Sequence, residues 1–219
     1  MARVIEDIAP YTIPDSFGHS TVRNLYFDTP SYRMIRQSIE KPPYKEKLRL
    51  RSYKLPTPSD QVFLEVKKKY DGVVYKRRLI LPYLEALSSI ESGKMPVGTG
   101  QTGHEIEYLT RAYEGLCPAC YISYERDAFF GRNPSDFRIT FDTELIADIE
   151  SPSLISCSGV PILSRDMALM ELKASGGIPM FMVDILSKYK IYKSSFSKYG
   201  TAYRTLIFNK FGLNGEILC

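Results

Sequence analysis

The chain has 219 residues, 44% of them hydrophobic and 25% charged, and a net charge of +4. This is the make-up of one globular domain, 1–219, with a substantial core, and the modest net charge alone implies neither nucleic acid nor a membrane. There is no signal peptide and no apolar run long enough to span a bilayer, and the "CPAC" at 117–120 has no second C-x-x-C with which to build a four-thiolate zinc site. Cys117, Cys120, Cys157 and Cys219 read as reduced packing thiols of a cytosolic protein.

Residues 1–21, with Pro10, Pro14 and Gly18, read as loosely structured. "VRNLYFDT" (22–29) reads as a strand. "SYRMIRQSI" (31–39) reads as a short helix that Asp28 or Thr29 can cap, with Arg33 and Arg36 on a solvated face. "EKLRLRSY" (46–53) is a second strand. "QVFLEVKKKY" (61–70) and "VVYKRRLIL" (73–81) form a hairpin across Asp71–Gly72, a favoured type I′ turn. Helical periodicity follows at 81–92 and 104–116, with a loop between them that contains "GTGQTG". Strands are predicted at 120–130, 136–145, 154–157 and 167–175, and helices at 179–189 and 197–209. Many antiparallel strands with a few helices make the fold class α+β.

The strands carry an unusual charge pattern. In "KEKLRLR" the cations Lys47, Arg49 and Arg51 alternate with Leu48 and Leu50, so one face is cationic and the other apolar. The hairpin register pairs Tyr70 with Val73, Lys67 with Lys76 and Glu65 with Arg78, which puts Glu65, Lys67, Lys76 and Arg78 on one face. Tyr124 and Arg126 share a face of "YERDAF". Arg138, Thr140, Asp142 and Glu144 share one of "RITFDTEL", and Glu171 and Lys173 one of "LMELKAS". Such a face either lies open to water or lines the lumen of a closed barrel, and a lumen rich in Arg and Lys needs a polyanion. Acids beside it would hold a divalent metal that bridges phosphate oxygens. Asp142 and Glu144 are either further metal ligands or, as favoured here, salt partners of Arg138. No P-loop and no G-x-G-x-x-G is present. His19 and His104 lie far apart in the sequence and give no metal or triad pattern.

Taken together, "LYFDTPSYRMIRQSI", "KLRLRSY", "FLEVKKKYDGVVYKRR", "SYERDAF", "FRITFDTEL", "LMELKASGGIP" and "SFSKYGTAYR" closely resemble the VTC domain. That is the polyphosphate-polymerase domain of vacuolar transporter chaperone proteins and their bacterial relatives, within the triphosphate tunnel metalloenzymes. The resemblance implies an antiparallel β-barrel tunnel with a charged lumen, flanked by helices. It implies transfer of the ATP γ-phosphoryl group to a growing polyphosphate chain, with Mn²⁺ or Mg²⁺ as cofactor. Arg49, Arg51, Lys67, Lys76, Arg126, Arg138 and Lys198 match residues that hold and activate the phosphates. Lys47, Arg78, Tyr124, Lys173 and Ser197 are expected to assist in binding, and Glu171, helped by Glu65, to hold the metal.

Two positions depart from the family pattern. The opening "MARVIEDIAPYTIPDSFGHS" shows no first strand carrying a glutamate and a lysine, and Ser195 stands where a lysine often precedes "FSK". The expected partners are ATP and polyphosphate, together with a membrane-protein partner of the kind many relatives have; the expected location is cytoplasmic, at a membrane face through that partner. The alternatives are a triphosphatase acting on tripolyphosphate or nucleoside triphosphates, and a non-catalytic polyphosphate or phosphate sensor. An RNA-binding sheet is disfavoured because the strand faces lack an aromatic stacking platform.

Overall fold

The computed structural model describes residues 1–132 and 137–208. The elements run α1 (Ala2–Ile8), β1 (Thr12–Pro14), β2 (Ser20–Asp28), α2 (Arg33–Glu40), β3 (Tyr44–Ser52), β4 (Gln61–Tyr70), β5 (Val73–Pro82), α3 (Tyr83–Ser92) and α4 (Gly100–Ala112). They continue with β6 (Cys117–Gly131), β7 (Arg138–Asp148), β8 (Val160–Pro161), β9 (Leu169–Lys173), α5 (Met180–Lys188) and α6 (Lys198–Ala202), which passes into a π-helical turn at Tyr203–Phe208. Among the described residues, nine strands form one sheet in the order β5-β4-β3-β2-β6-β7-β8, with β1 on β6 and β9 on β7, flanked by helices. The recorded pairings are antiparallel. The fold is α+β.

Closure into a barrel is not seen: among the described residues no pairing joins β5 to β8, the two ends of the order. β8 is two residues long, and Pro161 has no N–H to give to a ladder.

The chain forms two compact units. Among the described residues, one comprises 1–21, 124–132, 137–145 and 163–196; the other comprises 22–123, 146–162 and 197–208. In the second unit, the apolar faces of β3 and β4 (Leu48, Leu50, Leu64, Val66) pack with Ile90 of α3 and with Ile106 and Leu109 of α4. In the first, Ile139 and Phe141 of β7 pack with Val4 and Ile8 of α1 and with Met182 and Ile185 of α5. Each core therefore uses the apolar set of an alternating strand and leaves the charged set on the opposite face.

The hairpin forms as the sequence predicts. Asp71 and Gly72 both have positive φ, 42° and 85°, as a type I′ turn requires, and Glu65 pairs with Arg78 and Lys67 with Lys76. Four expectations change. Residues 1–21 are not loose: α1 and β1 form there, because Val4 and Ile8 supply an apolar stripe to the first unit's core. The helix predicted at 104–116 starts at Gly100 instead, extended by a Gln101–Glu105 side-chain bond, with Gly103 where a Cβ would collide with the Thr99 hydroxyl. It stops at Ala112, short of Gly115 at φ 75°. Residues 154–157 make a turn rather than a strand, with Ser156 N donating to Ser153 O and Leu154 buried in the core. The predicted ends Asp136 and Asn209, and Cys219, lie outside the described residues.

Asp28 ties β2 to two helices. Its carboxylate accepts from the backbone N–H groups of Thr29, Met34 and Ile35 and from the Tyr199 hydroxyl, while Thr29 Oγ1 accepts from Arg33 N. The residue is fully buried. Asp28→Ala would strand the first-turn N–H groups of α2 and the Tyr199 hydroxyl together. We expect a loss of about 3 kcal/mol in chemical denaturation, whereas Asp28→Asn, which keeps an acceptor, should lose less than half as much.

Candidate functional site

The second unit carries a cationic face built by three strands. Cross-strand register sets Arg49, Glu65 and Arg78 in one row and Lys47, Lys67 and Lys76 in the next, with Arg51 opposite Phe63 beyond them. Rows on one face are about 7 Å apart along the strands.

Glu65 is the hub, 1% exposed. Its Oε2 lies 2.8 Å from Arg49 Nη2 and 3.9 Å from Arg51 Nε, and its Oε1 lies 2.7 Å from Lys76 Nζ and 2.6 Å from Arg78 Nη2. Burial alone would raise its pKa, but the charges of Arg49, Arg51 and Lys76 outweigh burial and bring it down to about 2. One carboxylate thus faces four cations, and Lys47 and Lys67 add two more to the same face. Burial, with Lys67, Lys45 and Arg49 close by, pushes the Lys47 ammonium below its usual range.

Supporting residues come from β2 and the start of α6. Arg49 Nη1 donates to the Tyr26 hydroxyl at 3.1 Å, and Arg51 Nε donates to Asn24 Oδ1 at 2.9 Å. Tyr26 is buried and stacks on Tyr199 at 4.8 Å; burial opposes its ionisation, but Arg49, Lys47 and Arg51 outweigh that and lower its pKa. Lys47 Nζ donates to Ser197 Oγ at 3.1 Å, and the same oxygen accepts from Gly200 N, so Ser197 both caps α6 and steadies Lys47, with Lys198 next in the chain. Asn24 and Tyr26 escape the sequence reading because a helix, not a tight turn, links β2 to β3, and their register could not be counted from a hairpin. Their alternation with Leu25 and Phe27 was the available signal.

The first unit carries its own charged group. Arg126 binds Asp142 in a forked pair at 2.6 and 2.7 Å, lies 4.0 Å from Glu171, and sits over the Tyr124 ring at 5.1 Å. Asp142 therefore partners Arg126, not Arg138 as expected. Arg138 reaches Asp15 at 3.5 Å and lies over Phe130 at 4.9 Å. Across β7 and β9, Arg138 faces Lys173 and Thr140 faces Glu171. Glu144 is exposed, at φ 50°. His19 is not isolated: Nδ1 lies 3.0 Å from Asp127 and Nε2 3.2 Å from Glu125, and the Asp127 hydrogen bond raises its pKa. Cys117 and Cys120 are free thiols, and burial pushes Cys120 far up, as suits a packing residue.

The metal expectation divides. Glu65 does not fit a divalent ion, because both its oxygens are engaged by guanidinium and ammonium groups and another cation would enter a surplus of positive charge. Glu171, with a side chain 38% exposed, fits as one carboxylate ligand. Among the described residues no three His, Cys, Asp or Glu side chains converge to hold a metal. No described helix is long and apolar enough to cross a membrane.

Glu65→Gln leaves its cations without a counter-charge. We expect about 2–3 kcal/mol of destabilisation at pH 7, below the full cost of a broken buried pair because Lys76 and Arg78 are each 40% exposed and screened. Tripolyphosphate should restore much of it. Because the folded pKa is depressed from 4.5 to about 2, the Glu65 contribution is full above about pH 4.5 and lost as pH falls toward 2. Wild-type and Glu65→Gln melting curves should therefore converge in acid.

Comparison with known proteins follows the same lines. The VTC domain model matches residues 1–207. No curated protein matches the sequence. Among solved structures, the chain resembles a Bacillus halodurans protein named "putative adenylate cyclase" at 15% identity and TM-score 0.55, covering 94% of this chain and 90% of that one. It also resembles the PH1819 protein of Pyrococcus horikoshii (11% identity, TM-score 0.44, covering 92% and 91%). A Vibrio parahaemolyticus protein, also named "putative adenylate cyclase", has 12% identity and TM-score 0.44, covering 86% and 80%. The first likeness supports the fold alone. The family match spans most of the chain, including the strands that carry both charged groups, and the chain belongs to the VTC domain family.

Proposed function

We propose that this protein is a polyphosphate polymerase that transfers the γ-phosphoryl group of ATP to the end of a polyphosphate chain. The observation that carries the reading is the charge imbalance of the β3–β4–β5 face. Eight cations (Lys45, Lys47, Arg49, Arg51, Lys67, Lys69, Lys76 and Arg78) share one face of these strands with the acid Glu65. Glu65 is engaged with Arg49, Lys76 and Arg78, and the face keeps a net positive charge that suits a multiply charged anion. Membership of the VTC domain family makes a triphosphate the best candidate.

Phosphoryl transfer asks little covalent chemistry of a protein; positioning and charge stabilisation dominate. An oxygen of the chain's terminal phosphate attacks the γ-phosphorus in line. The new P–O bond forms as the bond to the β–γ bridging oxygen breaks, and ADP leaves with that oxygen. Arg49 and Arg51, steadied by Tyr26 and Asn24, supply fixed guanidinium charge beside the equatorial oxygens where charge spreads. Lys67 and Lys76 add point charges, Lys47 and Arg78 flank them, and Ser197 and Lys198 complete the donor set. Arg126, Arg138, Tyr124 and Lys173 have the same phosphate-holding role in this reading. Glu171 would hold a Mn²⁺ or Mg²⁺ ion, which would supply charge neutralisation for the phosphates.

The test is incubation with ATP and Mn²⁺, with products run on a polyphosphate-stained gel beside a free-phosphate assay. A ladder of chains is the expected result. Free phosphate without chains would reassign the protein as a triphosphatase, and neither product would refute the enzyme reading. Arg49→Ala should lower kcat/KM about 100-fold, in line with loss of one charge-stabilising donor. Lys67→Ala, at an exposed position, should lower it about tenfold without moving Tm.

A further inference from the structure

We propose that Thr140 is a phosphate-binding residue that pairs with Arg138 Nε to form a notch for one tetrahedral oxyanion. The inference rests on the polyanion reading above and adds a residue that the charged pattern does not reveal. β7 puts Arg138, Thr140 and Asp142 on the face opposite Ile139 and Phe141, which lie in the core. Asp142 is satisfied, with both oxygens on Arg126. Thr140 Oγ1 and Arg138 Nε are buried without a hydrogen-bond partner. Thr140 is only 4% exposed.

A buried hydroxyl without a partner is destabilising, and valine has the same shape without that penalty. Retaining threonine at such a position makes physical sense if the hydroxyl finds its partner in a bound state. The donors define the partner. Two positions apart on one strand, the hydroxyl and the guanidinium stand about 7 Å apart at the backbone, a span that a tetrahedral oxyanion between their side chains can bridge. Lys173 lies opposite Arg138 and adds positive charge. The acid on the neighbouring strand, Glu171 opposite Thr140, has Arg126 4.0 Å away to offset it. Arg138 is braced by Phe130 and, at the long distance of 3.5 Å, by Asp15, so its plane is held while Nε stays unused. Glu171, opposite Thr140, is half-buried, and Lys173, opposite Arg138, is exposed.

The experiment compares wild type, Thr140→Val and Thr140→Ser by calorimetric titration with tripolyphosphate and by thermal unfolding of the free proteins. The valine variant should bind at least about tenfold more weakly, as expected for one lost hydrogen bond to a charged group, while its own Tm stays level or rises. The serine variant should bind within about twofold of wild type. A valine variant with wild-type affinity overturns the inference. A lowered Tm in the free valine variant also overturns it, because the hydroxyl would then already be bonded without ligand. If wild type itself fails to bind tripolyphosphate, the polyanion reading falls and this inference with it; if wild type binds and the valine variant binds equally, only the role of Thr140 falls.

Discussion

The pairing of Glu65 with Arg49, Arg51, Lys76 and Arg78 organises the cationic face of the second unit. Without the carboxylate, the cross-strand register would place like charges side by side and the ladder would repel itself. With it, the guanidinium groups are locked in orientation while their charge remains in excess. A carboxylate fully occupied in this way cannot also be a metal ligand, so the hub that makes the face possible also excludes one of its expected roles. Preorganised cations that need no rearrangement when phosphate arrives are what electrostatic catalysis requires.

Much of this was legible in the sequence because strand geometry is periodic. The Asp71–Gly72 turn fixes the hairpin register, and from it follows the shared face of Glu65, Lys67, Lys76 and Arg78. Alternation in "KLRLR" likewise separates Arg49 and Arg51 from the core leucines. What sequence could not supply was pairing between strands that no tight turn connects. Tyr26 beside Arg49 and Asn24 beside Arg51 depend on such a pairing. So does the choice of Arg126, not Arg138, as the partner of Asp142. The opening helix was missed because α1 is only seven residues long, and its apolar stripe amounts to Val4 and Ile8.

Both units carry local costs to stability. The face around Glu65 holds more positive charge than the fold needs, and Thr140 and Arg138 carry buried donors that the fold does not satisfy. Each is a local cost offset elsewhere by well-packed cores, such as the fully buried Leu48, Leu50 and Leu64 of one unit and Ile139 of the other. Asp28 shows the opposite case: its buried carboxylate accepts four hydrogen bonds and holds β2, α2 and α6 together.

The most direct test of the central claim, that the charge-unbalanced face is a polyanion site, is the melting temperature of the wild-type protein with and without tripolyphosphate at matched ionic strength. A ligand that binds only the folded state at 100 times its Kd adds about 2.7 kcal/mol, which moves Tm by several degrees in a domain of this size. The account predicts such a rise at micromolar tripolyphosphate, reduced by added salt and larger in Glu65→Gln than in wild type. A Tm that does not respond to tripolyphosphate, in either protein, would contradict it.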